Sequence, residues 1–135
     1  MTKIYIAAYR DFNDYEGLKR VMDYLLSKKN KEDVLFYVSD GERGDKTCMK
    51  YVKNNGYKYE DWCKNKHGNR AKQKLPYIAD STHSVLVTDG DSIGIGIALR
   101  YSAMNIKGKL VIIKPYDNVF AIWKNGEMLA EKNIY

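Results

Sequence analysis

The chain has 135 residues, 44% of them hydrophobic and 30% charged, and carries a formal net charge of +6 from 23 basic and 17 acidic side chains. That is the mix and length of one globular domain; two prolines and ten glycines exclude collagen-like and low-complexity classes, and no apolar run approaches the ~18 residues of a membrane span. Two cysteines, Cys48 and Cys63, make no disulfide framework, and the first ten residues gain charge too early for a signal peptide, so a reduced, cytoplasmic protein without a membrane partner is expected.

Residues 3–8 read as a buried first strand. After a polar loop, Asp14 is placed to cap a helix over 15–29, in which Leu18, Val21, Met22, Leu25 and Leu26 recur at helical spacing. Lys28, Lys29 and Lys31 suit its carbonyl end. Residues 34–38 form the second strand, and 39–45 a tight polar turn into a helix over 45–55 that Asn55-Gly56 stops. Residues 57–62 alternate as a short strand. A third helix covers roughly 71–79, with Pro76 marking a break or an early turn. The fourth strand is 83–87, a glycine-rich turn over 89–96 opens a helix running to Met104, and 109–113 is the fifth strand. Asn125-Gly126 then joins two short strands as a hairpin. Alternation of strands and helices predicts an α/β domain, with a mostly parallel sheet and helices on both faces. Its core spans 3–114 and its C-terminal β-hairpin 117–131. Ligands in such sheets lie beyond the carboxyl ends of the strands, where the strand order reverses.

Three polar loops leave strands at that edge: 9–13, 39–45 and 89–96. Asp91, Ser92 and Gly94 stand between a strand and a helix, where backbone N–H groups and the helix terminus favour an anion. The same residues also suit a plain turn capped by Ser92. Neither the dinucleotide fingerprint nor the Walker pattern is present. In the second loop Arg43 sits between Gly41 and Gly44, where its planar fork suits phosphate, and Asp45 suits either a helix cap or a ribose hydroxyl. Arg10 and Asp11 offer the same choice after the first strand. Tyr9 and Trp62 can stack a base, although an aromatic strand such as 57–62 is more commonly core. Cys63, His67, His83 and Cys48 lack the spacing of a zinc site, so no metal and no cofactor is expected.

In order, these loops resemble the YspA-like branch of the SLOG superfamily. Residues 8–12 (Ala-Tyr-Arg-Asp-Phe) resemble its Gly-Ser-Arg-x-Phe opening, and residues 39–45 its Gly-Gly-Ala-x-Gly-Ala-Asp segment. Trp62 and Arg70, ahead of Ala79-Asp80, and residues 90–94 resemble its later motifs. The likeness spans about residues 3–114. It implies a Rossmann-like fold that binds nucleotides or nucleotide-derived signals, with Arg10, Gly41, Arg43, Gly44, Asp45, Ser92 and Gly94 as ligand contacts. Ala8, Asp40 and Ile95 depart from the pattern, and with Ile95 a hydroxyl contact to phosphate is lost. Residues 3–7 and 91–104 also resemble nucleoside 2-deoxyribosyltransferases. Their glutamate nucleophile falls at or next to Ala98, in a helix with no acid, and covalent attack on an anomeric carbon needs a carboxylate. The phosphoribohydrolase pattern is incomplete as well.

The expected protein is therefore a homo-oligomeric binder of a nucleotide-derived small molecule that does not turn it over. The Lys-, Asn- and Tyr-rich composition fits an AT-rich bacterial or phage genome, and a phage protein of this kind would sequester a nucleotide immune signal. The alternatives are an N-glycosidic hydrolase or deoxyribosyltransferase-like enzyme, with Asp11, Asp45, Asp89 or Asp91 as its acid, and a single-stranded nucleic-acid binder using the lysine surface.

Overall fold

A computed structural model describes all residues, Met1–Tyr135. The elements are β1 (Thr2–Ala8), α1 (Tyr15–Leu26), β2 (Val34–Val38), α2 (Arg43–Asn54), β3 (Lys58–Asp61), α3 (Arg70–Gln73), α4 (Leu75–Asp80), β4 (His83–Val87), α5 (Ile93–Met104), β5 (Lys109–Lys114), β6 (Val119–Lys124) and β7 (Glu127–Asn133). One seven-stranded sheet runs β3-β2-β1-β4-β5-β6-β7. The first five strands are mutually parallel, and β6 and β7 are antiparallel. The expected α/β architecture, including the terminal hairpin, is present. Asn125 (φ 50°) and Gly126 (φ 79°) both take the left-handed conformation that a two-residue turn of this hand requires.

The two faces of the sheet separate by strand alternation. Ile4, Ile6 and Ala8 of β1 pack with Leu18, Val21 and Met22 of α1 and with Cys48 and Val52 of α2. Tyr5 and Ala7 face the other way, with Ile78 of α4 and with Ile95 and Ala98 of α5. No helix is long and apolar enough to cross a membrane.

Three local readings shift. Helix α1 ends at Leu26 rather than residue 29, where the Ser27 hydroxyl donates to the Tyr24 carbonyl at 3.1 Å. Its Asp14 cap is in place, accepting from Gly17 N–H at 3.0 Å. Residues 71–79 divide into α3 and α4, with Pro76 in the first turn of α4, where its missing N–H has no intrahelical partner to lose. Helix α2 starts at Arg43, two residues early and without a side-chain cap.

That early start depends on Gly44. Its N–H donates to the Arg10 carbonyl at 2.9 Å, and a Cβ there would lie 2.0 Å from the Tyr9 carbonyl oxygen. A backbone atom cannot swing aside as a side chain would. Gly44→Ala is therefore expected to push α2 off the loop after β1 and to cost about 2 kcal/mol or more, measured by denaturant unfolding. A stability equal to that of the unsubstituted chain would contradict the close approach.

Candidate functional site

Strand order reverses between β1 and β4, and a cavity of about 390 Å³ opens beyond their carboxyl ends. The end of β1 leaves room because its last residues, Ala7 and Ala8, are small. Asp45 enters from the first turn of α2, Trp62 from the end of β3, Arg70 and Lys74 from α3 and its junction with α4, and residues 92–97 from the start of α5.

Asp45 is the pivot of this arrangement. Rather than capping its own helix, it turns toward the sheet, where it accepts from Ala8 N–H at 3.4 Å and from Arg70 Nη2 at 3.1 Å. Burial pushes its carboxyl up to about 6, against the opposing pull of the Ala8 N–H and Arg70. The Arg70 guanidinium lies over the Trp62 ring, 4.9 Å from the centroid, and Nη1 donates to Cys63 Sγ at 3.2 Å. Cys63 N–H is in turn held by Asp61, so the arginine plane is fixed on three sides.

Lys74 is buried, an uncommon position for a lysine. Its Nζ donates to the Gly94 carbonyl at 2.8 Å. Burial pulls its pKa down, and the Asp45 carboxylate opposes that. Tyr5 and Trp62 also line the cavity, and their polar atoms, Tyr5 Oη and Trp62 Nε1, are buried with no hydrogen-bond partner. An orphaned buried donor costs about 1–3 kcal/mol. Burial also drives the Tyr5 hydroxyl well above its ordinary pKa, so it stays a neutral O–H.

At the mouth, Ser92 caps α5 by accepting from Ile95 N–H at 3.4 Å. In the loop before it, two backbone N–H groups are already engaged. Asp89 Oδ1 already accepts from the N–H groups of Asp91 and Ser92, at 3.0 and 2.9 Å, and these bonds hold the Asp89 carboxyl below its usual range. What remains is the first turn of α5, where the N–H groups of Ile93 and Gly94 have no intrahelical acceptors.

Of the residues singled out from sequence, Arg10, Asp45, Trp62, Arg70, Ser92 and Gly94 line one cavity. Gly41 lies directly beneath the Arg70 guanidinium, where a Cβ would meet Nη1 at 2.4 Å. Gly44 positions α2. Tyr9 packs edge-on against Phe12, 5.6 Å between centroids, and does not line the cavity. Arg43 and Asp11 also lie outside it, exposed and 4.0 Å from each other. Asp91 lies outside with its N–H on Asp89. Trp62 is 4% exposed, tilted on Tyr5 at 6.1 Å and covered by Arg70, so it has no free stacking face. Tyr5 and Lys74 were not anticipated. Tyr5 reads as one of several apolar strand residues, and Lys74 as one lysine among many.

Ala98, where the deoxyribosyltransferase likeness calls for a carboxylate, is fully buried beside the Tyr5 layer. No three His, Cys, Asp or Glu side chains converge where a metal ion could sit. Comparison with protein-family models, curated proteins and solved structures finds no match for this chain.

Proposed function

We propose that this cleft binds a nucleotide-derived small molecule and releases it unchanged. The observation that carries the reading is the Asp45–Arg70–Trp62 assembly in the wall of a cavity at the strand-order switch, with two orphaned buried donors, Tyr5 Oη and Trp62 Nε1, on lining residues. The polar groups divide by chemistry. Arg70, Lys74 and the first turn of α5 suit phosphate oxygens. Tyr5 O–H and Trp62 N–H suit the acceptors of a base or sugar, and Asp45 suits a hydroxyl or amine donor. The apolar lining from Ala7, Ile95 and Ile97 suits a ring. The SLOG resemblance supports the same class of ligand. A role in sequestering a nucleotide immune signal for a phage follows from that resemblance alone, since fold does not give function. Self-association has its best surface on and just after α5, where Ile93, Tyr101, Met104 and Ile106 are exposed.

A thermal-shift panel of cyclic dinucleotides, ADP-ribose derivatives and nucleoside phosphates tests the reading. A ligand at a hundred times its dissociation constant adds about 2.7 kcal/mol. One class should stabilise the chain, and chromatography of the same mixture should recover it intact. No stabilisation by any member would overturn the proposal.

A second reading draws on Asp45, because a carboxyl raised to about 6 is in the range of a general acid. That reading requires release of a free base from the ligand, abolished by Asp45→Asn. The absence of acid from α5 favours binding without turnover.

A further inference from the structure

We propose that the opposite edge of the sheet carries a separate site for linked phosphate groups, built from His83, Lys109, Lys124, Lys28 and Lys29. It does not rest on the reading of the cleft.

His83, Lys109 and Lys124 occupy one row of the sheet on three adjacent strands: His83 of β4 is registered on Lys109 of β5, and Lys109 on Lys124 of β6. Registered neighbours project from the same face. Two residues further along each strand, Val85, Val111 and Ile122 pack on the α1 side. The row is about 10 Å wide at ordinary strand spacing. Lys28 and Lys29 follow the last turn of α1 and, with His83 and Lys109, line a hollow of about 470 Å³ that contains no carboxylate.

The charge here is unbalanced. The ion-paired lysines of the molecule are Lys3, Lys19, Lys64 and Lys66, and none of the four lysines of this edge is among them. Glu127 of β7, registered on Lys124, supplies one negative charge, and the carbonyl end of α1 about half of another. Four ammonium groups exceed that. Lysines directly opposite each other in an antiparallel pair, as Lys109 and Lys124 are, also destabilise the sheet. The fold bears this repulsion where an anion would relieve it.

His83 adds a directional donor. The Thr82 hydroxyl accepts from Lys3 N–H at 2.9 Å and gives its single hydrogen to the Lys3 carbonyl at 3.0 Å. It also lies 2.9 Å from His83 Nδ1, a contact whose donor is set by the ring tautomer. Burial, then Lys109, Lys29 and Lys124, hold that imidazole down to about 4. A bound phosphate would reverse the lysine contribution and favour the doubly protonated ring.

Calorimetric titration with tripolyphosphate and with a short single-stranded oligothymidylate, together with NMR titration of His83, tests the site. The triple variant Lys28→Gln, Lys29→Gln, Lys109→Gln should lose about tenfold or more in tripolyphosphate affinity. A control with the same charge change, Lys46→Gln, Lys50→Gln, Lys58→Gln, should lose about twofold or less at physiological salt. Saturating tripolyphosphate should raise the His83 titration midpoint above its starting value. Tripolyphosphate binding without oligonucleotide binding assigns a small polyphosphate as the ligand. Binding of both, with the same sensitivity to the pocket variant, assigns a nucleic-acid backbone. Equal losses in the two triple variants, an unmoved His83 midpoint, or no binding of either probe would each overturn the proposal.

Discussion

Asp45→Asn is expected to make the protein more stable at pH 7, by about 1–2 kcal/mol. Burial raises the Asp45 carboxyl to about 6, so keeping it ionised at neutral pH costs about 3 kcal/mol relative to an ordinary carboxyl. An amide removes that cost, and its weaker bond to Arg70 returns part of it. The pH dependence separates this account from a general effect of the substitution. Between about pH 4 and 6 the folded chain takes up a proton at Asp45 that the unfolded chain does not. The stability from this group is therefore fully present below the unfolded value and is lost as pH rises through about 6. His83 acts in the opposite sense. Its folded value is depressed to about 4, so its stability is present above about 6.5 and is lost as pH falls toward 4.

From pH 7 to pH 5, Asp45 contributes a gain of about 1.4 kcal/mol and His83 a loss of about 1.8. In the unsubstituted chain the two nearly cancel. In Asp45→Asn only the His83 limb remains, so the variant should lose about 2 kcal/mol relative to its own stability at pH 7. Denaturant unfolding at the two pH values measures both effects. A variant that tracks the unsubstituted chain at both would mean that Asp45 is an ordinary solvated carboxylate. The expected gain at pH 7 also fits a residue kept for binding at the expense of stability.

The second large effect is on affinity. Arg70→Met should weaken binding of the stabilising ligand about ten- to a hundredfold, the worth of a charge-assisted hydrogen bond inside a partly desolvated site. Arg70 stands on Trp62, bonds Asp45 and lines the cavity. Arg43→Ala should cost about threefold or less, because an exposed arginine near Asp11 contributes little through a screened surface. Arg70→Lys should fall between the two, since it keeps the charge and loses both the fork and the ring contact. Calorimetric titration on the three variants decides it. A larger loss from Arg43→Ala than from Arg70→Met would move the phosphate out of the cavity and onto the start of α2.

The fold was legible because its signals are periodic and local. Asp14 caps where a short acidic side chain precedes an apolar helical stripe, and Asn125-Gly126 turns where only left-handed residues fit. The alternation of strand and helix points to a parallel sheet and to the edge where its loops meet. The site was only partly legible, for physical reasons. Asp45 looks like a cap in sequence, yet the contact of Gly44 with the β1 loop starts the helix earlier and turns the carboxylate into the cavity. Arg43 has the more suggestive neighbours in sequence. Arg70 acquires its role through tertiary contacts, with Trp62 and Cys63 and with Asp45, 25 positions away. Tyr5 carries a strand pattern that says buried and nothing about where its hydroxyl ends. Lys74 is distinguished from the other lysines solely by burial against α5.

The indole N–H signals of the two tryptophans test the central claim most directly. Trp62 is part of the cleft wall and its Nε1 is buried and unpartnered, whereas Trp123 lies on β6 away from the cleft. In an NMR titration with the panel compound that stabilises the chain most, the Trp62 resonance, assigned by its loss in Trp62→Phe, should move downfield and saturate as its N–H gains an acceptor. The Trp123 resonance should stay in place and serve as the internal reference. A stabilising ligand that leaves Trp62 unmoved, or that moves Trp123 alone, would show that the ligand does not occupy the cleft and would contradict the account.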